Sequence, residues 1–178
     1  MKISEEMLEV IKNTHKFTKE PWTSKFGISY IGYCHTLTSS EMEEGMILKL
    51  TRRSAHKLLM KDIKRIERFI NTQLKSNGTP SIPQNHFDVL CSIAYDIGNV
   101  GLKNSTFFKE YKNGLLNDPA SRIMVWCYIK DQLSLAMKYR REIDLQIFTI
   151  SNYNITRKEE NESKRTSASH VRESKIIG

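Results

Sequence analysis

The feature that most constrains this chain is a long amphipathic segment from about Thr51 to Leu74. Ala55, Leu58, Leu59, Ile63, Ile66, Phe69 and Ile70 recur at helical spacing and form one apolar stripe. Thr51 is a candidate N-cap. The opposite face carries Arg52, Arg53, Lys57, Lys61, Lys64, Arg65 and Arg68. Such a run reads as a solvated face, or more sharply as a docking surface for a polyanion.

Other helices are marked by their ends. Ser4 caps a first helix, with Glu5 and Glu6 at the positive end of its dipole, and the pattern Ile3, Met7, Leu8, Ile11 runs out near Thr14. Pro83 opens an apolar helix holding Phe87, Leu90, Cys91, Ala94 and Ile97 that ends at Gly98. Ser105 caps a helix that stops at Gly114, and Asp118-Pro119 opens the next. A last helix takes in Leu133, Leu135, Met137, Tyr139 and Ile143. Between the first two helices, Pro21 excludes helix, Lys25-Phe26-Gly27 reads as a turn, and Ile28–Tyr33 is β-branched and aromatic. A short hairpin is expected there, with Gly32 marking a close backbone approach. The class is α+β, mainly helical.

Composition limits the function classes. Of 178 residues, 39% are hydrophobic and 27% charged, which suits a globular chain with a real core. Lys and Arg outnumber Asp and Glu by 28 to 20, a net charge of +8 that favours anionic partners: nucleic acid, acidic membranes or cell-envelope polyanions. No stretch is apolar for long enough to span a bilayer, and Met1–Val10 has no signal-peptide character, so a cytoplasmic chain is expected as synthesised. Cys34, Cys91 and Cys127 are odd in number and widely spaced, which reads as three free thiols. His15, His35, His56, His86 and His170 show no ligand spacing, and no P-loop, dinucleotide or zinc motif is present, so neither metal nor cofactor is expected. Residues 151–178 are polar and mixed in charge and are expected to form a disordered tail after a domain of residues 1–150.

Several segments, in order, carry a resemblance. Ile31-Gly32-Tyr33-Cys34-His35-Thr36 resembles the IGYGHT signature of glycoside hydrolase family 24, the phage-type lysozymes or endolysins. Gly45-Met46 and then Thr51, Ala55, Leu58, Leu59 and Asp62 look like the opening of that family's long connecting helix. Gln84–Leu90 resembles QNQFDAL, and Ala94-Tyr95-Asp96-Ile97-Gly98 resembles AFNVG with Asp96 where Asn is usual. Ser105-Thr106, Trp126, and Arg140-Arg141-Glu142 through Ile147-Phe148 continue the match, which covers about residues 4–148. The resemblance implies a small N-terminal lobe with a β-hairpin (about 1–50), a connecting helix (about 51–74) and a helical C-terminal lobe (about 80–150). It also implies a cleft for peptidoglycan glycan, in which Tyr33, His35, Asp96 and Ser105 would face substrate.

Glycosidic cleavage uses one carboxyl group as proton donor and a second to stabilise positive charge or activate water. In the family a Glu, an Asp nine positions on and a Thr six further provide the machinery. Counting back from Ile31-Gly32, those positions are His15, Ser24 and Tyr30, and Gly27 falls where the family has glycine. All three are therefore substituted. A protonated imidazole adds positive charge near a cationic transition state. Ser24 cannot carry negative charge, and losing one such electrostatic contact typically costs about 3–4 kcal/mol of transition-state stabilisation. Tyr30 can fill the space of a water or stack on a sugar. Glu20 and Asp96 are the carboxylates that could stand in, and Cys34 beside His35 is either a nucleophile–base pair or a tolerated change in a tight turn.

Three readings follow from the resemblance: a catalytically degenerate lysozyme-like protein that binds cell-wall glycan or a partner protein; an active muramidase with altered residues; and a scaffold binding nucleic acid or an acidic protein through its basic helix and tail. A monomer is expected, reaching the periplasm or wall, if it does, through a holin or another secretion route.

Overall fold

The structure is a computed structural model that describes residues 1–43, 49–129 and 131–154. Gly45-Met46 and the tail from residue 155, with His170, lie outside the described residues.

Helix α1 (Glu5–Thr14) is capped by Ser4, whose hydroxyl accepts from the Met7 N–H. Three antiparallel strands follow, β1 (Thr18–Thr23), β2 (Ser29–Gly32) and β3 (His35–Thr36), in the order β1-β2-β3. The expected hairpin is thus a three-stranded sheet that begins earlier. Pro21 lies inside β1, where the register slips between Thr18 and Trp22; an edge strand with an irregular ladder tolerates a residue that lacks an N–H. Gly32 has φ 66°, and a Cβ there would meet Ala55 Cβ at 3.2 Å, the close approach that its place in the strand implied.

A short helix α2 (Ser39–Glu43) leads toward α3 (Arg52–Ser76), which is closed at its start by reciprocal Thr51–Ser54 hydrogen bonds. Its apolar stripe, with Ala55, Leu59, Ile63, Ile66, Ile70 and Leu74 buried, packs on β2 and on α4 (Gln84–Asn104). Helix α4 is central: Phe87, Val89, Leu90, Cys91, Ile93 and Ala94 are all buried, and it packs against α1, α3, α5 (Thr106–Lys112) and α7 (Leu135–Ile150). Gly98 interrupts it at φ 76°, where the sequence placed its end; a second segment then runs on to Asn104.

Helix α6 (Pro119–Met124) is capped by Asp118. A 3₁₀ turn, Val125–Cys127, then feeds a small hairpin, β4 (Tyr128–Ile129) and β5 (Gln132–Leu133), before α7. Leu133, assigned to the last helix from sequence, lies in β5 instead: Ser134 caps α7 and forces the helix to start after it. The helices share one buried core. Among its buried polar residues is Asp88, which accepts from the Ser4 N–H (2.9 Å), the Ser4 hydroxyl (2.6 Å) and the Tyr153 hydroxyl (2.7 Å). Tyr153, assigned to the tail from sequence, is therefore packed, because its phenol has a buried carboxylate to satisfy. Cys34, Cys91 and Cys127 are free thiols.

Candidate functional site

The end of α1, the strand β1, Cys34 in the β2–β3 turn, and the start of α7 enclose a cleft of about 470 Å³. His15, the C-cap of α1, sits at its base with its side chain 2% exposed. Nδ1 lies 3.0 Å from the Ile11 carbonyl and Nε2 lies 2.9 Å from Asp96 Oδ1. Nδ1 also lies 3.1 Å from Thr14 Oγ1, so the ring is held at both nitrogens.

Asp96 comes from the last turn of α4 before the Gly98 break. Its second oxygen accepts from Arg140 Nε (3.0 Å) and Arg141 Nη2 (2.6 Å), both from α7. Burial alone would push this carboxyl up. The hydrogen bond and charge of His15, followed by the charges of Arg141 and Arg140, overcome burial and hold it well below the usual carboxylate range. Asp96 is thus a fixed anion, not a proton donor. Arg141, fully buried, also reaches Asp144 (2.8 Å), whose carboxyl is raised by burial against the pull of Arg141.

Ser24 closes the β1–β2 turn. Its N–H donates to the Ile28 carbonyl at 2.9 Å, and its hydroxyl receives the N–H groups of Phe26 (3.4 Å) and Ile28 (3.3 Å). Tyr30 pairs with Trp22 across the strands and stacks on it, with centroids 5.0 Å apart and planes 28° from parallel. Its hydroxyl titrates above the ordinary phenol value because of burial, then because of the charges of Cys34 and Asp96. Glu20 points out of β1, 64% exposed, with Lys49 4.0 Å away.

Cys34 lines this cleft and a second hollow of about 370 Å³ beside α3 and α4. It holds φ 63°, a left-handed conformation that strains any side chain, and its Sγ–H donates to the His15 carbonyl at 3.7 Å. Burial raises its thiol, and His35 faces away to Asp62 (2.6 Å) and Glu41 (3.4 Å), so no base activates it. His35 ties β3 to α3 and α2. Tyr33 is buried against Phe17, and its carbonyl accepts from the Tyr95 hydroxyl at 2.5 Å. Ser105 caps α5, accepting from the Phe108 N–H, and lines a different hollow, with Arg122 and Trp126.

The structure therefore gathers His15, Tyr30, Cys34 and Asp96 at one place and leaves Glu20 and Ser105 outside it. Arg140 and Arg141 were noted in sequence only as a closing motif. Lys16 and Trp22, which line the cleft, were not singled out, and Tyr139 was named only as a residue of the last helix, since nothing local marks a residue as a cleft wall. On α3, Arg53, Lys57, Lys61, Lys64, Arg65 and Arg68 are exposed; Arg52 stacks over Phe17 at 4.9 Å and Arg65 pairs with Asp62 at 3.1 Å. Among the described residues no helix is long and apolar enough to cross a membrane, and no His/Cys/Asp/Glu group is placed to hold a metal.

Comparisons place this architecture. The chain is similar to the endolysin of Acyrthosiphon pisum secondary endosymbiont phage 1, 28% identical over 130 residues that cover 73% of this chain and 83% of that one. It is also similar to the SAR-endolysin of Enterobacteria phage P21, 26% identical over 68% of this chain and 75% of the relative. Among solved structures, the endolysin of Escherichia coli O157:H7 phage FAHEc1 superposes with TM-score 0.68 and 26% identity, covering 87% of this chain and 98% of that one. The active form of the P1 phage endolysin Lyz shares the fold at TM-score 0.66 and 18% identity, over 85% of this chain and 86% of that one. The phage lysozyme family model matches residues 12–144, three quarters of the sequence, and the chain belongs to the phage lysozyme family.

Proposed function

We propose that this chain is a lysozyme-fold protein that keeps the substrate cleft, binds cell-wall glycan in it, and no longer hydrolyses it by the two-carboxylate route. The observation that carries this reading is the His15–Asp96 pair. Where a proton-donating carboxyl is required, the cleft has an imidazole held by Ile11 and Asp96. Asp96, which the imidazole contacts, is kept ionised by its hydrogen bond with His15 and the charges of Arg141 and Arg140, and has no proton to give. Ser24, at the position of the second carboxylate, spends its hydroxyl on its own turn. Glu20 is exposed, lies 4.0 Å from Lys49 and does not line the cleft, which argues against its recruitment as a substitute.

The family relationship supports peptidoglycan as the ligand class. The test is a pull-down with purified, insoluble peptidoglycan, run beside an assay for released soluble fragments. Sedimentation with the wall and no fragments supports the reading. Fragment release by the natural chain contradicts its catalytic half, and absence of binding contradicts the other half.

A further inference from the structure

We propose that the outer face of α3 is a docking surface for a bilayer of acidic phospholipid. This surface is separate from the His15 cleft, which no α3 residue lines.

The helix sets its charges in one row. Arg53, Lys57, Lys61, Lys64, Arg65, Arg68 and Lys75 are all exposed. With roughly 3.6 residues per turn and a rise of about 1.5 Å, they fall within an arc of about 120° and follow about 33 Å of the axis. The apolar stripe takes the other side, buried against β2 and α4. Both acids of the helix are engaged: Asp62 is buried and held by His35 at 2.6 Å, and Glu67 accepts the Ile3 N–H at 2.8 Å. Of the seven cations only Arg65, 3.1 Å from Asp62, pairs with a carboxylate among the described residues. Like charges at successive helical turns repel one another, and a polyanionic partner relieves that repulsion.

The chemistry of the face favours a bilayer over a nucleic acid. A helix that reads a DNA groove sets base-reading side chains at the centre of its face and phosphate-binding cations beside them. Here Lys57, Arg68 and Lys75 hold the centre of the arc. Asn71, the amide on this arc, is spent: its Nδ2 donates to the Met1 and Glu67 carbonyls at 2.9 Å and 2.8 Å. No aromatic residue falls within the arc to stack on a base. The Asn71 contact also brings Met1 to the edge of the face, 44% exposed. An apolar side chain among cations can enter the headgroup region of a bilayer and has no counterpart in a phosphate polymer. A convex ridge meets a plane along its whole length, whereas a duplex curves away from it.

The test uses the full chain and three probes at equal phosphate concentration: vesicles of phosphatidylcholine with about a third phosphatidylglycerol, vesicles of phosphatidylcholine alone, and a double-stranded DNA of mixed sequence. Co-sedimentation is expected with the acidic vesicles and not with the neutral ones, and it is expected to fall as salt is raised. Lys57→Gln/Lys61→Gln/Lys64→Gln, at exposed positions where glutamine suits a helix, is expected to lower the partition onto acidic vesicles about hundredfold. Lys57→Arg/Lys61→Arg/Lys64→Arg keeps the charge and is expected to bind as the natural chain does. Equal binding to acidic and neutral vesicles, no binding to either, or a glutamine variant that binds undiminished overturns the proposal. Tighter binding to the DNA than to the acidic vesicles reassigns the face to nucleic acid and overturns it as well.

Discussion

His15 Nε2 and Asp96 Oδ1, 81 positions apart in the chain, lie 2.9 Å from each other at the base of the cleft. Both residues read in sequence as departures from a family pattern, Glu to His and Asn to Asp, and in the fold the two side chains satisfy each other. A glutamate at position 15 would oppose Asp96 in a buried site, whereas a histidine satisfies it.

This coupling is measurable in stability. Asp96→Asn removes the anion that Arg140, Arg141 and His15 share, and breaking a buried ion pair from one side costs about 3–5 kcal/mol. His15→Glu alone is expected to destabilise comparably, because it sets a second carboxylate against Asp96. The double variant His15→Glu/Asp96→Asn is expected to recover 1 kcal/mol or more, roughly, relative to the sum of the single variants. Urea unfolding of the four proteins gives the cycle, and strict additivity would contradict the pairing.

A second expectation concerns pH. The hydrogen bond from His35 to Asp62 raises the His35 imidazole above its ordinary value, against a smaller lowering by burial, with further raising by the charges of Asp62 and Glu41. A folded value above the unfolded one, near 6.5, means that protonated His35 stabilises the fold. That stabilisation is fully present below about pH 6.5 and is lost as pH climbs through the raised folded value. Stability of the natural chain should therefore decline as pH rises above about 6.5, and His35→Gln should flatten that limb. A limb of unchanged slope in the variant would assign the pH dependence to another group.

Cys34 supplies a third. Its φ of 63° costs a non-glycine residue about 1 kcal/mol, and the single weak Sγ–H contact to the His15 carbonyl does not offset this. Cys34→Gly is expected to raise the unfolding free energy by about 0.5–1 kcal/mol, read from thermal or denaturant melts. A loss of stability would show that the thiol contact outweighs the strain.

Much of the fold was legible because its signals are local. The caps Ser4, Thr51, Ser105 and Asp118 declare themselves by residue type at a fixed offset from an apolar pattern, and all four accept the expected N–H. Gly32 was readable for the same reason. The β4–β5 hairpin was not, since two-residue strands around Asp131 carry no periodicity. The site was legible only in part. His15, Tyr30 and Asp96 stood out as departures from a family pattern, but their meeting depends on how α1, α4 and α7 pack, which no spacing rule encodes. Opposite charge in the two departures was the available hint. The cleft walls, Lys16, Trp22 and Tyr139, had no hint of that kind.

The most direct test of the account is release of soluble fragments from purified peptidoglycan by the natural chain and by the variant His15→Glu/Ser24→Asp/Tyr30→Thr/Asp96→Asn. The fourth change is needed so that the restored glutamate does not face a buried carboxylate. The account predicts a silent natural chain and a variant that cuts. Fragment release by the natural chain at a rate comparable to that of an active phage lysozyme would contradict it.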